Sequence, residues 1–282
     1  MFAVLLALLA LLLAGVAPRL MARLVWFRRA PRPALVAWQA VSLAAVIAAL
    51  AAAPAAVPYL RERGWLVFGM AAAVTLLVLG RLLLSGHRVG TGLRAARARH
   101  RELVDILAAP DDGGRADGIR VLAHATPTAY CLPGRRSRVV LTQGALAALP
   151  ADELDAVIAH ERAHLRGRHD LLLEYFTVLH HSVPDPVRSP EALREVRLLI
   201  EALADRAAIR TSGPVTTARA LMTLARGQAP EASLAAAGDG TTAARMRLLA
   251  SEPVSPLVSA VMYLYAGAVV ALPLTLLWLS WR

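Results

Sequence analysis

Four long apolar blocks constrain this chain more than any other feature; they run at about residues 2–18, 34–57, 65–84 and 257–280. A bilayer core takes about 20 apolar residues of helix to cross, so each block is a candidate span. Backbone groups in hydrocarbon must be satisfied within the element itself, which leaves helix as the form. The first block is the shortest, and Ala14-Gly15-Val16-Ala17 resembles a signal-peptide cleavage site. No basic residue precedes its apolar core, however, and arginines follow it at once. That pattern predicts a retained span with its N-terminus outside.

The basic residues are all arginine, and their placement sets the expected topology. The loop after the first block carries Arg19, Arg23, Arg28, Arg29 and Arg32 without an acid. The loop after the second has only Arg61, Glu62 and Arg63, while Arg88, Arg94, Arg97, Arg99 and Arg101 follow the third. By the positive-inside rule, the first loop and the region after the third block face the cytoplasm. The fold expected is a mainly α membrane protein with three spans in residues 1–87 and a fourth in 256–282. A cytoplasmic α+β domain over residues 88–255 is inserted between the third and fourth.

A net charge of +11 also raises nucleic-acid binding. The arginines flank the apolar blocks, aromatics are 5% of residues, and no nucleic-acid motif is present. Contact with anionic headgroups of the bilayer is the better reading, and no direct nucleic-acid binding is expected. Cys131 is the single cysteine, which excludes an internal disulfide and any multi-cysteine metal site.

Within 88–255, glycines at 86–92 suggest a hinge out of the membrane, followed by a basic amphipathic helix over 93–107. Asp111-Asp112-Gly113-Gly114 reads as a turn. Residues 119–124 alternate as a strand, Arg138–Thr142 is β-branched, and Ala129–Leu132 is a third extended segment before Pro133-Gly134. Helices are predicted over 143–149, 152–166, 191–211 and 216–226. Residues 169–183 are apolar but short for a span, fitted to lie against the membrane or the domain core. Residues 229–242, rich in Ala and Gly, are expected to be loose.

The chemistry is concentrated in His160-Glu161-Arg162-Ala163-His164. On a helix, residues four apart share a face, so both imidazoles can reach one zinc ion. Glu161, one step round, can stand beside the metal and take a proton from the attacking water. Apolar Leu154, Val157 and Ile158 on the preceding turns allow that helix to be buried. A catalytic zinc needs a third protein ligand, and Glu201, set among Leu198, Leu199, Ile200 and Leu203, is preferred over Glu195. Asp205, one turn on, can orient a ligand histidine. His169, His180, His181 and Arg206 are candidates to support the oxyanion, and the sequence does not choose among them.

Three segments resemble the BlaR/MecR-type family of membrane-embedded zinc peptidases, a gluzincin group related to HtpX and the CAAX-prenyl endopeptidases. They are residues 127–134, residues 138–146 and Ala156 to Asp170. The resemblance implies a zincin-like peptidase domain, a Zn2+ cofactor and protein or peptide substrates, with a BlaI/MecI-type repressor or the enzyme itself as a target. It also implies that Ala129, Tyr130, Cys131 and Leu132 form an edge strand over the cleft, where an extended substrate can pair. Antibiotic-sensing members carry a penicillin-binding domain after the fourth span; none follows here, so no β-lactam sensor is expected in this polypeptide. An HtpX-like quality-control protease and a catalytically silent membrane receptor are the competing readings. Retention of Glu161 weighs against the receptor, since zinc binding alone does not require it.

Overall fold

The computed structural model describes residues 1–59, 64–110, 118–134, 137–227, 235–252 and 254–282. The loop residues Arg61, Glu62 and Arg63, the turn at residues 111–114 and the start of the 229–242 stretch lie outside the described residues. The chain divides into two units, one of Met1–Thr91, Glu174–Arg197 and Pro253–Arg282, the other of Gly92–Leu173 and Leu198–Glu252.

α1 (Phe2–Arg23), α2 (Pro31–Ala51) and α9 (Pro256–Leu279) belong to the first unit, as does α3 (Trp65–Leu107) as far as Thr91; together they carry most of the four apolar blocks, and all four are long and apolar enough to cross a membrane. α1 carries one π-helical stretch at Leu12–Val16. Pro31 and Pro256 stand at the starts of α2 and α9, where a missing N–H costs nothing, and the Ser255 hydroxyl caps α9 by accepting from Val258 N at 3.4 Å. Alanines at 48, 51 and 55 pack with Leu6, Leu276 and Leu277, small residues letting helices approach closely. Large apolar side chains stay uncovered elsewhere, Leu76 and Leu77 being 65% and 63% exposed, a surface that water does not favour.

The glycines at 86–92, expected to form a hinge, do not break the helix. α3 runs unbroken through those glycines to Leu107, so the separate helix over 93–107 is its continuation. An isolated helical glycine costs only about 1 kcal/mol, and no proline interrupts residues 65–107.

Residues 174–197 group with the apolar helices. α6 (His169–Ser182) and the start of α7 (Glu191–Gly227) make these contacts. Tyr175 OH meets Ser42 Oγ at 3.0 Å, Ser85 Oγ donates to Val178 O at 2.8 Å, and Arg28 Nε donates to Glu195 at 2.9 Å. α7 is two helical stretches joined at Gly213, whose φ of 79° and following Pro214 end the first where the sequence places its end.

The second unit holds a sheet of order β1-β2-β4-β3, from β1 (Ala109–Pro110), β2 (Ile119–Leu122), β3 (Ala129–Leu132) and β4 (Arg138–Thr142). β2 and β4 are parallel, while β3 is antiparallel to β4 and ends the sheet. Thr142 then caps α4 (Gln143–Ala148), its hydroxyl accepting from Ala145 N at 3.1 Å. α5 (Ala151–Arg166) begins with Asp152 and Glu153, which favour a helix N-terminus. Its Leu154, Val157 and Ile158 bury against Val139 and Leu141 of β4 and Ala208 and Ala220 of α7. Residues from 235 onward are not loose: α8 (Ala235–Leu249) is helical, alanine and a terminal Arg-Leu-Leu run favouring helix over the single glycines.

Candidate metal centre

α5 brings His160 and His164 onto one face, and the first stretch of α7 sets Glu201 opposite. The Nε2 atoms of the two histidines are 3.0 Å apart. Glu201 Oε2 is 3.4 Å from His160 Nε2, and its Oε1 is 3.5 Å from His164 Nε2. Tetrahedral zinc with bonds of about 2.0–2.2 Å separates its ligand atoms by about 3.3–3.5 Å. Both Glu201 distances match that spacing and the two imidazole nitrogens stand a few tenths of an ångström closer, so the three donors form a group able to hold a metal.

Each ligand is held from behind. His160 Nδ1 lies 3.0 Å from Asp205 Oδ1, an ion-pair distance without the alignment of a straight hydrogen bond. His164 Nδ1 lies 2.9 Å from His169 Nδ1. The His169 ring folds back over Gly167, where a Cβ would meet its Nε2 at 2.4 Å, so glycine is needed for that approach. Arg245 of α8 closes the set. Its Nε and Nη2 donate to the two Asp205 oxygens at 2.9 and 2.6 Å, and its Nη1 is 3.1 Å from Glu201 Oε2. Asp205 is 2% exposed, so this pairing is what keeps a buried carboxylate ionised.

The electrostatics follow from those contacts. Burial works against the charge on His160, but Asp205 and Glu201 outweigh it and raise its pKa to about 9. His164 is pushed down to about 4 by burial, with His160 and His169 adding to the effect. Burial opposes the charge on Glu201 too, yet His160 and Arg245 hold it down at about 2. Burial raises Glu161 above the usual carboxylate range, which suits a group that must accept a proton. Three carboxylates (Glu161, Glu201, Asp205) face Arg245 and the protonated His160 here, so a cation that displaces the His160 proton keeps the centre close to neutral.

A cleft of about 450 Å³ opens over these groups, lined by Ala129, Tyr130 and Cys131 of β3, by Glu161, by Leu221 and Leu224 of α7, and by Arg245. Leu132, the fourth expected strand residue, turns away and packs with Val104 and Val140. Thr142 N donates to Thr128 O at 3.1 Å, which sets the phase of the β3–β4 ladder. Ala129↔Leu141 and Cys131↔Val139 then fall at non-bonded positions, so the N–H and C=O of Ala129 and Cys131 point outward from the sheet. The Cys131 thiol donates a hydrogen bond to Glu161; burial and that carboxylate raise its pKa, which disfavours a nucleophilic thiolate.

Glu195, the alternative ligand, is paired with Arg28 and takes no part. His180 and His181 meet edge to face in the first unit, and Arg206 does not line the cleft. Among the oxyanion candidates only His169 reaches the centre, and it does so through His164. Arg245 escaped sequence reasoning, for it lies 40 residues beyond Asp205 in an alanine-rich run. The one sequence signal for it is the excess of carboxylates at the site.

Residues 96–183 match Peptidase family M48. The match takes in the sheet, His160, Glu161 and His164, and stops short of Glu201, Asp205 and Arg245. It is to a family of metallopeptidases, in agreement with the donor set assembled by α5 and α7. No curated protein and no solved structure matches this chain.

Proposed function

We propose that this chain is an integral-membrane zinc endopeptidase, with α1, α2, α3 and α9 spanning the bilayer and the catalytic unit on the cytoplasmic side. The convergence of His160, His164 and Glu201 within a cleft that also holds Glu161 carries the reading. Zinc at those three donors would supply Lewis acidity, polarising the scissile carbonyl and acidifying water. Glu161 takes the proton from the attacking water and returns it to the leaving amine. Asp205 and His169 fix the two imidazoles, each leaving Nε2 bare for the metal. The outward backbone groups of Ala129 and Cys131 receive the substrate as an added strand, main-chain bonds giving affinity and side-chain pockets selectivity.

Site-specific regulatory cleavage fits best, of a BlaI/MecI-type repressor or of the enzyme itself. Its support is the resemblance of residues 127–134 and of the four-span layout to the BlaR/MecR-type family. Comparing protein N-termini in cells carrying the wild type and Glu161→Ala at equal levels tests this. A few cleavage products missing from the variant are expected. Many scattered differences would replace the regulatory reading with quality control, and none under resting or envelope stress would leave a silent receptor.

A further inference from the structure

A second cavity, of about 380 Å³, lies wholly in the first unit between α1, α2, α3 and the segment from α6 to the start of α7. Its walls are almost entirely apolar, with Leu11, Val41, Ala45 and Leu77 among them. Its size falls in the range of ligand sites, about 300–1,000 Å³. Two arginines also line it. Arg81 Nε donates to Ser182 O at 2.9 Å and Arg188 Nε donates to Val183 O at 3.2 Å, so consecutive carbonyls gather both guanidinium groups at one place. Arg188 is neutralised by Asp185, its Nη1 being 2.6 Å from Oδ1. Arg81 has no carboxylate partner among the described residues. His180 borders the same cavity, and its buried Nδ1 has no hydrogen-bond partner.

An arginine near the end of an apolar span can simply reach toward the interface while capping α6. That accounts for Nε and leaves the two Nη groups of Arg81, which lines the groove, without a carboxylate partner among the described residues. Basic pockets between spans take anionic headgroups. From this geometry we infer that the groove binds an anionic phospholipid. An acyl chain lies along α1, α2 and α3, and the phosphodiester sits on Arg81 beside His180. The charge complementarity selects an anionic lipid over a neutral one, and the apolar walls select a lipid over a free phosphate.

The inference shares with the proposed function only the membrane-spanning reading of the helices. The full chain is reconstituted in nanodiscs of equal phosphatidylglycerol and phosphatidylcholine, extracted in mild detergent, and its retained lipids are measured by native mass spectrometry. Phosphatidylglycerol should be enriched about fivefold, the factor that about one cation's attraction to an anionic lipid supplies. Arg81→Lys should keep the enrichment, Arg81→Gln should abolish it, and Ala45→Trp, which fills the groove, should lose both lipids. Equal retention of the two lipids by the wild type overturns the site whether or not any variant folds. So does displacement of the lipid by millimolar glycerol phosphate alone. A chain recovered soluble and free of lipid would instead sink the membrane reading itself.

Discussion

Arg245 grips Asp205 with two parallel hydrogen bonds, of 2.9 and 2.6 Å, while its third nitrogen reaches Glu201 at 3.1 Å. One side chain on α8 thus holds both a ligand carboxylate and the carboxylate behind a ligand histidine. Removing one partner of a buried ion pair strands the other, at about 3–5 kcal/mol. Arg245→Met should lower the melting temperature and weaken zinc retention by about 10–100-fold, as loss of outer-sphere support does. Arg245→Lys, which keeps charge but not the fork, should fall between. Zinc content per chain and thermal melts of the purified protein decide this, and unchanged zinc binding in Arg245→Met would remove the residue from the centre.

Glu161→Gln separates metal binding from proton transfer. The amide cannot take the proton, so peptide hydrolysis should drop by about 10²–10⁴-fold. Zinc stoichiometry should stay at the wild-type value, since Glu161 is not among the three converging donors. Loss of zinc together with activity would recast Glu161 as a ligand.

Zinc uptake should release one proton. With no metal bound, His160 keeps its proton up to about pH 9, whereas His164, near 4, and Glu201, near 2, are already bare at neutral pH. Apparent zinc affinity should rise about tenfold per pH unit between about pH 6.5 and 8.5, because the metal must displace that proton. The metal-free fold should show the opposite trend. The His160 value lies above the ordinary 6.5, so its stabilisation is complete below 6.5 and lost as pH rises through about 9. Chelator competition and thermal melts across that window test both signs, and a flat affinity profile would contradict the His160 assignment.

His169 acts through His164 and touches no ligand position itself. His169→Phe keeps the ring's bulk but removes the Nδ1 contact, and zinc affinity should fall by about 10–100-fold. His169→Gln, which retains an acceptor, should recover part of the loss. Equal affinity in the Phe variant and the wild type would show that His164 needs no such partner.

Ala129→Pro tests the open edge of the sheet. Its N–H points away from β4, so the proline costs no ladder bond and the fold and zinc content should survive. Hydrolysis of an extended peptide should weaken through KM. Tyr130→Pro, at a bonded position, should destabilise the protein instead. Unaltered KM in the Ala129 variant would place the substrate elsewhere.

Much of this architecture is legible in short-range pattern. The 3.6-residue period places His160 and His164 together and predicts that Glu201 and Asp205 share a face. β-branching marks Arg138–Thr142, and Gly213-Pro214 marks the break in α7. The glycines at 86–92 misled because a glycine permits a bend without requiring one; α3 keeps its hydrogen bonds through them. The stretch after residue 234 misled because its glycines drew the reading toward a loose segment, whereas alanine's helix preference outweighs them.

What the residue order alone decides is therefore the set of apolar helices, the strands β2, β3 and β4 and the two ligand-bearing helix faces, each encoded in neighbours a few positions apart; β1, only two residues long, left no such pattern. Folding in three dimensions decides the rest: that Arg245 arrives from 40 residues beyond Asp205, that His169 doubles back over Gly167 to His164, and that 174–197 packs with the apolar helices. The physical reason is the same in each case. Helix and strand periodicity is a local property of the chain, whereas the partner that neutralises a buried charge is chosen by whichever element packing brings against it.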